Sequence, residues 1–187
     1  MGSHDMIASR RDCAAALPTP MPELYKSSPL ESVLFVCLGN ICRSPTAEGV
    51  FRQRAVRAGL GDRIVVASAG MGDWHVGEPP DRRAIAHAAK RGYDIRKQRA
   101  RQICEADFER FKWILAMDRD VLRGVNEMRP AGHGGHVGLF LESATALATR
   151  DVPDPYFGGT DGFERVLDLI EAGSDSLLER IRASSGL

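Results

Sequence analysis

A cysteine and an arginine are separated by five residues in Cys37-Leu38-Gly39-Asn40-Ile41-Cys42-Arg43, with Ser44 and Pro45 directly after them. A segment of that length can curl around a tetrahedral oxyanion and point several amide N–H groups at it. The loop therefore reads as a phosphate cradle with a sulfur nucleophile in its floor. A free cysteine, with a pKa of about 8.5, is mostly protonated at neutral pH, so such a nucleophile needs its thiolate stabilised. Three sources are at hand: the positive end of a helix starting near Ser44, the loop amides, and the Arg43 guanidinium. Ser44 suits an N-cap, and its hydroxyl can donate to the Cys37 sulfur. Asn40 can brace the loop, Gly39 permits a tight curl, and Pro45 fits the first helical turn. The Lys and Thr of a Walker-type nucleotide loop are absent, which favours attack on phosphorus over holding ATP. A lone strand-end cysteine is ordinarily core. Cys, five residues, Arg and Ser between a strand and a helix is a nucleophile's setting.

A phosphomonoester also needs a proton for its departing oxygen. Asp151 and Asp154, in DVPDPYFGG, are the candidate acids. Asp154 is preferred, because Pro155 stiffens its loop and Tyr156 and Phe157 can wall a pocket for an aryl group; taken alone, Asp-Pro is a turn signal. Trp74, in a loop between Gly72 and Gly77, reads as a further exposed wall rather than core.

The elements that must carry these residues alternate between strand and helix. Strands are expected at Ser32–Cys37, Ile64–Ser68, Trp113–Met117 and Val137–Leu141. Helices are expected at Thr46–Ala58, Asp81–Lys90, Cys104–Arg110, after an Asp118 cap, and over Gly162–Ile181 with Phe163, Val166, Leu167, Ile170 and Leu177 on one side. The pattern predicts an open four-stranded parallel sheet with helices on both faces, a three-layer α/β/α, doubly wound, flavodoxin-like fold. In such folds ligands sit at the carboxyl ends of the strands, where Cys37 falls.

With 187 residues, 43% of them hydrophobic, the chain can bury one substantial core, so a single domain over 32–187 is expected. Residues 1–31 read as a disordered or loosely held extension, interrupted by Pro18, Pro20, Pro22 and Pro29 and opening on a Met1-Gly2-Ser3-His4 stretch that resembles an expression-vector remnant. Lys plus Arg and Asp plus Glu each number 25, a balance that argues against nucleic acid or an anionic membrane as partner. No apolar run approaches the roughly 18 residues of a membrane span, and a cytoplasmic protein is expected. Cys13, Cys37, Cys42 and Cys104 are too few for a disulfide scaffold and lack the second ligand pair of a zinc site, so free thiols are expected. His133 and His136 read as members of a solvated glycine-rich loop rather than metal ligands, and the basic stretch Arg82–Arg101 as a solvated face.

Three blocks together, CLGNICRSP at 37–45, SAGMGDWHVGEPPDRR at 68–83 and DPYFGG at 154–159, resemble the low-molecular-weight protein tyrosine phosphatases, and the resemblance extends over residues 32–184. It implies hydrolysis of phosphotyrosine and small aryl phosphates through a phosphocysteine formed on Cys37, without metal or cofactor. Arg43 would bind the phosphoryl oxygens and Asp154 would protonate the leaving group, then activate water. The cradle would be Leu38, Gly39, Asn40, Ile41, Cys42 and Ser44, with Ser68 supporting it. Trp74 and Tyr156 would flank the substrate ring, with Phe157 beside them. Cys42 matches a second loop cysteine that can form a reversible disulfide with the nucleophile. The partners implied are tyrosine-phosphorylated proteins, tyrosine kinases among them, met by a monomer or weak dimer.

The chain departs from the family pattern at Met71, where Thr often follows SAG, and at Gln98, where many animal members carry His; the second predicts a differently wired loop-bracing network. Ile41, where an arginine-phosphatase branch carries Thr, favours phosphotyrosine. An arsenate reductase on this scaffold would need a relay of cysteines, and only Cys104 follows the loop. A non-catalytic phosphotyrosine-binding module would be expected to lack Cys37 or Asp154, and both are present.

Overall fold

The computed structural model describes residues 31–156 and 160–187. Four parallel strands, β1 (Glu31–Cys37), β2 (Ile64–Gly70), β3 (Trp113–Ala116) and β4 (His136–Leu139), form one sheet in the order β2-β1-β3-β4. Five helices connect and follow them: α1 (Arg43–Arg57), α2 (Arg82–Lys90), α3 (Glu105–Arg110), α4 (Arg119–Met128) and α5 (Thr160–Ser185).

All seven residues of β1 are buried, as a central strand covered on both faces requires. Its alternation divides the core. Val33, Phe35 and Cys37 face one layer with Val50 and Phe51 of α1 and Leu167 and Ile170 of α5; Leu34 and Val36 face another with Phe108 of α3 and Val121 and Val125 of α4. Phe35 is wholly buried and meets Phe51 and Phe140 edge to face at centroid separations of 5.6 and 5.1 Å. The chain leaves β1 for β2 on one side and returns to β3 on the other, so the carboxyl end of β1 is the switch point of the sheet. Cys37 is the last residue of that strand.

The strands and helices fall where the sequence pattern places them, with shifts at their ends. The fourth strand runs over 136–139, and Phe140 and Leu141 turn into a 3₁₀ segment whose side chains plug the α5 layer. The last helix extends to 160–185. Helix α1 begins at Arg43 rather than Thr46, with Cys42 as N-cap and no side-chain cap bond. Ser44 is therefore the second helical residue, not the cap, and its hydroxyl is left for other partners. β1 starts at Glu31, one residue inside the expected extension; residues 1–30, the rest of that extension, lie outside the described residues.

Other expectations change with the packing. Cys37 and Cys42 are free. Cys13 lies outside the described residues. His136 lies on β4, tilted against Trp113 and 2.6 Å from Glu142, and so is not part of the loop; His133 stays in the loop between exposed Gly132 and Gly134, half-buried with its ring edge-on to Phe108. Arg82 and Arg83 are exposed, but Arg101, at the end of the same basic stretch, is 6% exposed and held by both oxygens of Asp107 at 2.9 and 3.0 Å.

Replacing Phe35 by Ala should destabilise the fold by about 3–5 kcal/mol, since the cavity opens between two rings and the central strand. Urea unfolding followed by far-UV circular dichroism measures this; a loss under 1 kcal/mol would show that the three rings are not the centre of the core.

Candidate active site

After Cys37 the chain must curl and enter α1 within five residues. Its carbonyls point outward to the surroundings: Cys37 O accepts from Met71 N (2.9 Å), Leu38 O from Gly72 N (2.9 Å), Ile41 O from Asp81 N (2.8 Å), and Cys42 O from Thr46 Oγ1 (2.7 Å). No peptide bond among the described residues is cis, so each outward carbonyl turns the following N–H the other way. The amides of Leu38, Gly39, Cys42 and Arg43 are thus gathered toward the concave side. Asn40 donates its own amide to Cys37 Sγ at 3.2 Å.

The sharp bend falls on Asn40, at φ 55°, the one non-glycine with positive φ among the described residues; Asn tolerates this left-handed conformation better than most residues. Gly39, expected to supply the bend, does not adopt positive φ. Its missing side chain matters for space, because a Cβ there would lie 3.1 Å from the His75 ring. Gly70 is tighter still: a Cβ would meet Asn40 N and Gly39 C at 3.0 Å, so β2 can end against the loop only because its last residue has no side chain.

Cys37, 3% exposed, has Ser44 Oγ at 3.0 Å. Asn40 Nδ2 bonds both Ser44 Oγ and Ser68 Oγ at 2.9 Å, and Asn40 Oδ1 accepts Arg101 N at 2.9 Å. Arg101 is fixed in turn by Asp107, which is completely buried and also accepts from Cys104 N. Ser68 and Asn40 thus stand in the loop's support.

Arg43 is 4% exposed and its guanidinium is shared between three acceptors. Nη1 bonds Asp118 Oδ2 at 2.5 Å and Val152 O at 3.1 Å; Nη2 bonds Asp154 Oδ2 at 3.3 Å. Asp118 uses its other oxygen to cap α4 through Val121 N at 2.8 Å. Val152 N bonds Met117 O at 2.7 Å, which ties the loop that carries Asp154 to the end of β3. Asp151 points elsewhere, to Arg119 at 2.7 Å.

Cys37, Arg43, Asp154, Ile41, Trp74 and Tyr156 line one cleft of about 210 Å³. Trp74 is 60% and Tyr156 44% exposed. The Tyr156 ring is held from outside by the Arg83 guanidinium, 5.1 Å from its centroid. Phe157 lies outside the described residues. Cys42, in the same cleft, has its thiol pushed up to about 12, first by burial and then by the negative charges of Asp81, Cys37 and Asp154, with Arg83 acting the other way.

Across residues 32–186 the chain matches the sequence model of the low molecular weight phosphotyrosine protein phosphatases. The chain belongs to that family. It is 44% identical over 153 residues to the low molecular weight protein-tyrosine-phosphatase of Streptomyces coelicolor, spanning 80% of this chain and 93% of that one. To the YfkJ phosphatase of Bacillus subtilis it is 40% identical over 156 residues, 83% and 99% of the two chains. The crystal structure of YfkJ superposes with a TM-score of 0.79, covering 84% of this chain and 98% of that one, at 39% identity. A Drosophila arginine phosphatase shares the fold at a TM-score of 0.75 and 30% identity, over 80% and 97% of the chains.

The structure brings to the cleft and its supports residues that the sequence did not single out for the phosphatase site. Asp118 reads from sequence only as a helix cap, yet its place at the carboxyl end of β3, beside the switch point, is a signal that it faces the ligand side. His75 lines the cleft with Nδ1 at 2.7 Å from Glu78. Asp107 carries no motif; its complete burial alone marks it.

Because Cys42 is held as a neutral thiol, iodoacetamide should label it at pH 9 in Cys37→Ser protein at least tenfold more slowly than a peptide thiol, whose pKa is about 8.5. Mass spectrometry reads the rate, and labelling as fast as the peptide would contradict the burial argument.

Proposed function

We propose that this protein-tyrosine-phosphatase works through Cys37, Arg43 and Asp154 in the following roles. Cys37 Sγ attacks phosphorus, and the electron pair of the breaking P–O bond leaves on the tyrosyl oxygen, which takes a proton from the Asp154 carboxyl. The Arg43 fork and the loop amides hold the three remaining oxygens. Water then attacks the phosphocysteine, giving a proton to Asp154, and the thiolate leaves toward the Ser44 hydroxyl and the Asn40 amide. The observation that supports this best is the convergence of one sulfur, one guanidinium and one carboxylate on a single cleft with aromatic walls.

Arg43 Nη2 contacts Asp154 Oδ2 at 3.3 Å, so the acid stands beside the fork that would hold the phosphoryl group. Trp74 and Tyr156, with apolar Ile41 of the loop lining the same cleft, suit an aryl phosphate, and the open rim suits a tyrosine on the surface of a protein. Its partners are tyrosine-phosphorylated proteins; a tyrosine kinase is the partner to test first, met in the cytoplasm by a monomer or weak dimer. No helix among the described residues is long and apolar enough to cross a membrane. Cys42 acts as redox guard: peroxide converts the Cys37 thiolate to a sulfenic acid, and the Cys42 thiol displaces water to give a disulfide.

Cys37→Ser should abolish hydrolysis of p-nitrophenyl phosphate in the absence of added metal, while Asp154→Ala should lower kcat about 10²- to 10⁴-fold, the range for lost general acid catalysis. Asp151→Ala should change kcat less than threefold, a modest figure for a carboxylate outside the reacting set, and the reverse ranking of the two aspartates would move the acid to Asp151. Peroxide-treated wild type should regain activity with dithiothreitol; if Cys42→Ser regains it equally well, Cys42 is no guard.

A further inference from the structure

The hydrogen bonds of the loop do not end at Ser68. The Ser68 hydroxyl donates to Glu48 Oε2 at 2.6 Å, and Glu48 Oε1 accepts from Arg52 Nη2, also at 2.6 Å. Glu48 is only 8% exposed. Ser44, Glu48 and Arg52 follow one another at four-residue intervals along α1, so they share a face. That face runs beside β2, where Arg52 Nη2 also bonds Val66 O at 2.9 Å.

The direction of each bond follows from the ends. An ionised carboxylate only accepts. Ser68 therefore commits its one hydroxyl proton to Glu48 and can only accept from Asn40 Nδ2. Asn40 cannot turn its amide over, because Arg101 N needs its oxygen. The second Nδ2 proton goes to Ser44 Oγ, which keeps its own proton for Cys37 Sγ, 3.0 Å away, or for Ala69 O at 3.2 Å.

We infer that the Glu48–Arg52 pair is the far terminus of this relay and fixes the direction of its bonds, so that the Ser44 hydroxyl is free to donate to the Cys37 sulfur. Glu48 and Arg52 are positioning residues: they act through Ser68, Asn40 and Ser44 and touch no reacting atom. The charged groups around Glu48 are Arg52 on its own helix and Asp94, Lys97, Arg99 and Arg101 from the segment after α2. Among the described residues, Arg52 is the one bonded to it. Gln98 lies against the same cavity of about 460 Å³, yet both atoms of its amide are buried without a hydrogen-bond partner. The rewiring expected from Gln98 is thus met by Arg52, with Gln98 outside the relay. This rests on Cys37 being the nucleophile, and the test separates the two ideas.

The test measures the rate of Cys37 alkylation by iodoacetamide against pH, and kcat/KM for p-nitrophenyl phosphate against pH, in the full chain. In Glu48→Gln the side chain offers oxygen to only one of Ser68 and Arg52 and turns an NH₂ on the other. The alkylation midpoint should rise by about one pH unit, a tenfold loss of thiolate stabilisation, and the acid limb of kcat/KM should move the same way. Arg52→Gln should shift both in that sense, Arg52→Lys should restore the wild-type midpoint, and Gln98→Ala should leave it in place. Should Glu48→Gln not fold, Ser68→Ala breaks the next link and should give the same upward shift. Unmoved midpoints in Glu48→Gln and Arg52→Gln, or in Ser68→Ala, overturn the relay, as does an equal shift in Gln98→Ala. Activity surviving in Cys37→Ser would overturn the nucleophile assignment instead.

Discussion

A loop that gathers amide N–H groups around one anion must send its carbonyl oxygens elsewhere, because buried backbone acceptors without partners are costly. In this phosphatase the acceptors are met by Met71 and Gly72 after β2, by Asp81 before α2 and by Thr46 in α1. Three separate elements therefore have to arrive at one loop, and the sheet order decides that they can. β2 ends level with β1, pairing Cys37 with Gly70, so the residues following the two strands run side by side. The absence of a side chain at Gly70 brings the two backbones into direct contact. The cradle is consequently a property of the β1–β2 pair and not of the loop alone.

Two buried arginines frame the site, and the roles of their partners differ. Arg101 is matched by a bidentate carboxylate, Asp107, that is itself completely buried. Such a pair gains little net stability over an apolar replacement, but it fixes where the Arg101 amide stands, and that amide holds Asn40. Arg43 is instead spread over Asp118, Val152 O and Asp154. Nη1 is anchored to Asp118 and the backbone, and Nη2 makes the longer contact with the more exposed Asp154. The guanidinium is thereby oriented from behind, while the group it shares with Asp154 is the one that the proposed mechanism exchanges for phosphoryl oxygen.

The order of strands and helices was legible because each apolar run is short, bounded by turn residues and followed by a segment of the other period. β1 and β3 show this most plainly. That the loop and Asp154 meet in one cleft was legible because the chemistry they suggest needs particular residue types at short spacing. What could not be read was whatever depends on distant segments meeting. Asp118 lies 75 residues from Arg43 in sequence, and Arg101 lies 61 from Asn40. The left-handed residue of the loop was assigned to Gly39 on propensity, but Asn40 takes it because its side chain has three partners that hold it there. His136 reads from sequence as the end of the glycine-rich loop, one residue before the fourth strand expected at Val137, and its pairing with Trp113 of β3 draws it into that strand.

The placement of Asp154 follows from the same logic of pinned ends. The role of general acid proposed for it requires a place close to the departing oxygen that can still exchange its proton with water, so full burial would defeat it. Here the segment before it is fixed at Val152, through Met117 and Arg43, and the residue after it, Pro155, is buried. The carboxylate itself keeps 38% of its side-chain surface exposed. Its other oxygen accepts from Tyr156 N at 2.9 Å, a bond that sets the turn and carries the tyrosine ring to the rim. The acid and the aromatic wall are therefore one local structure, and a change that frees the carboxylate from Tyr156 N also moves the wall.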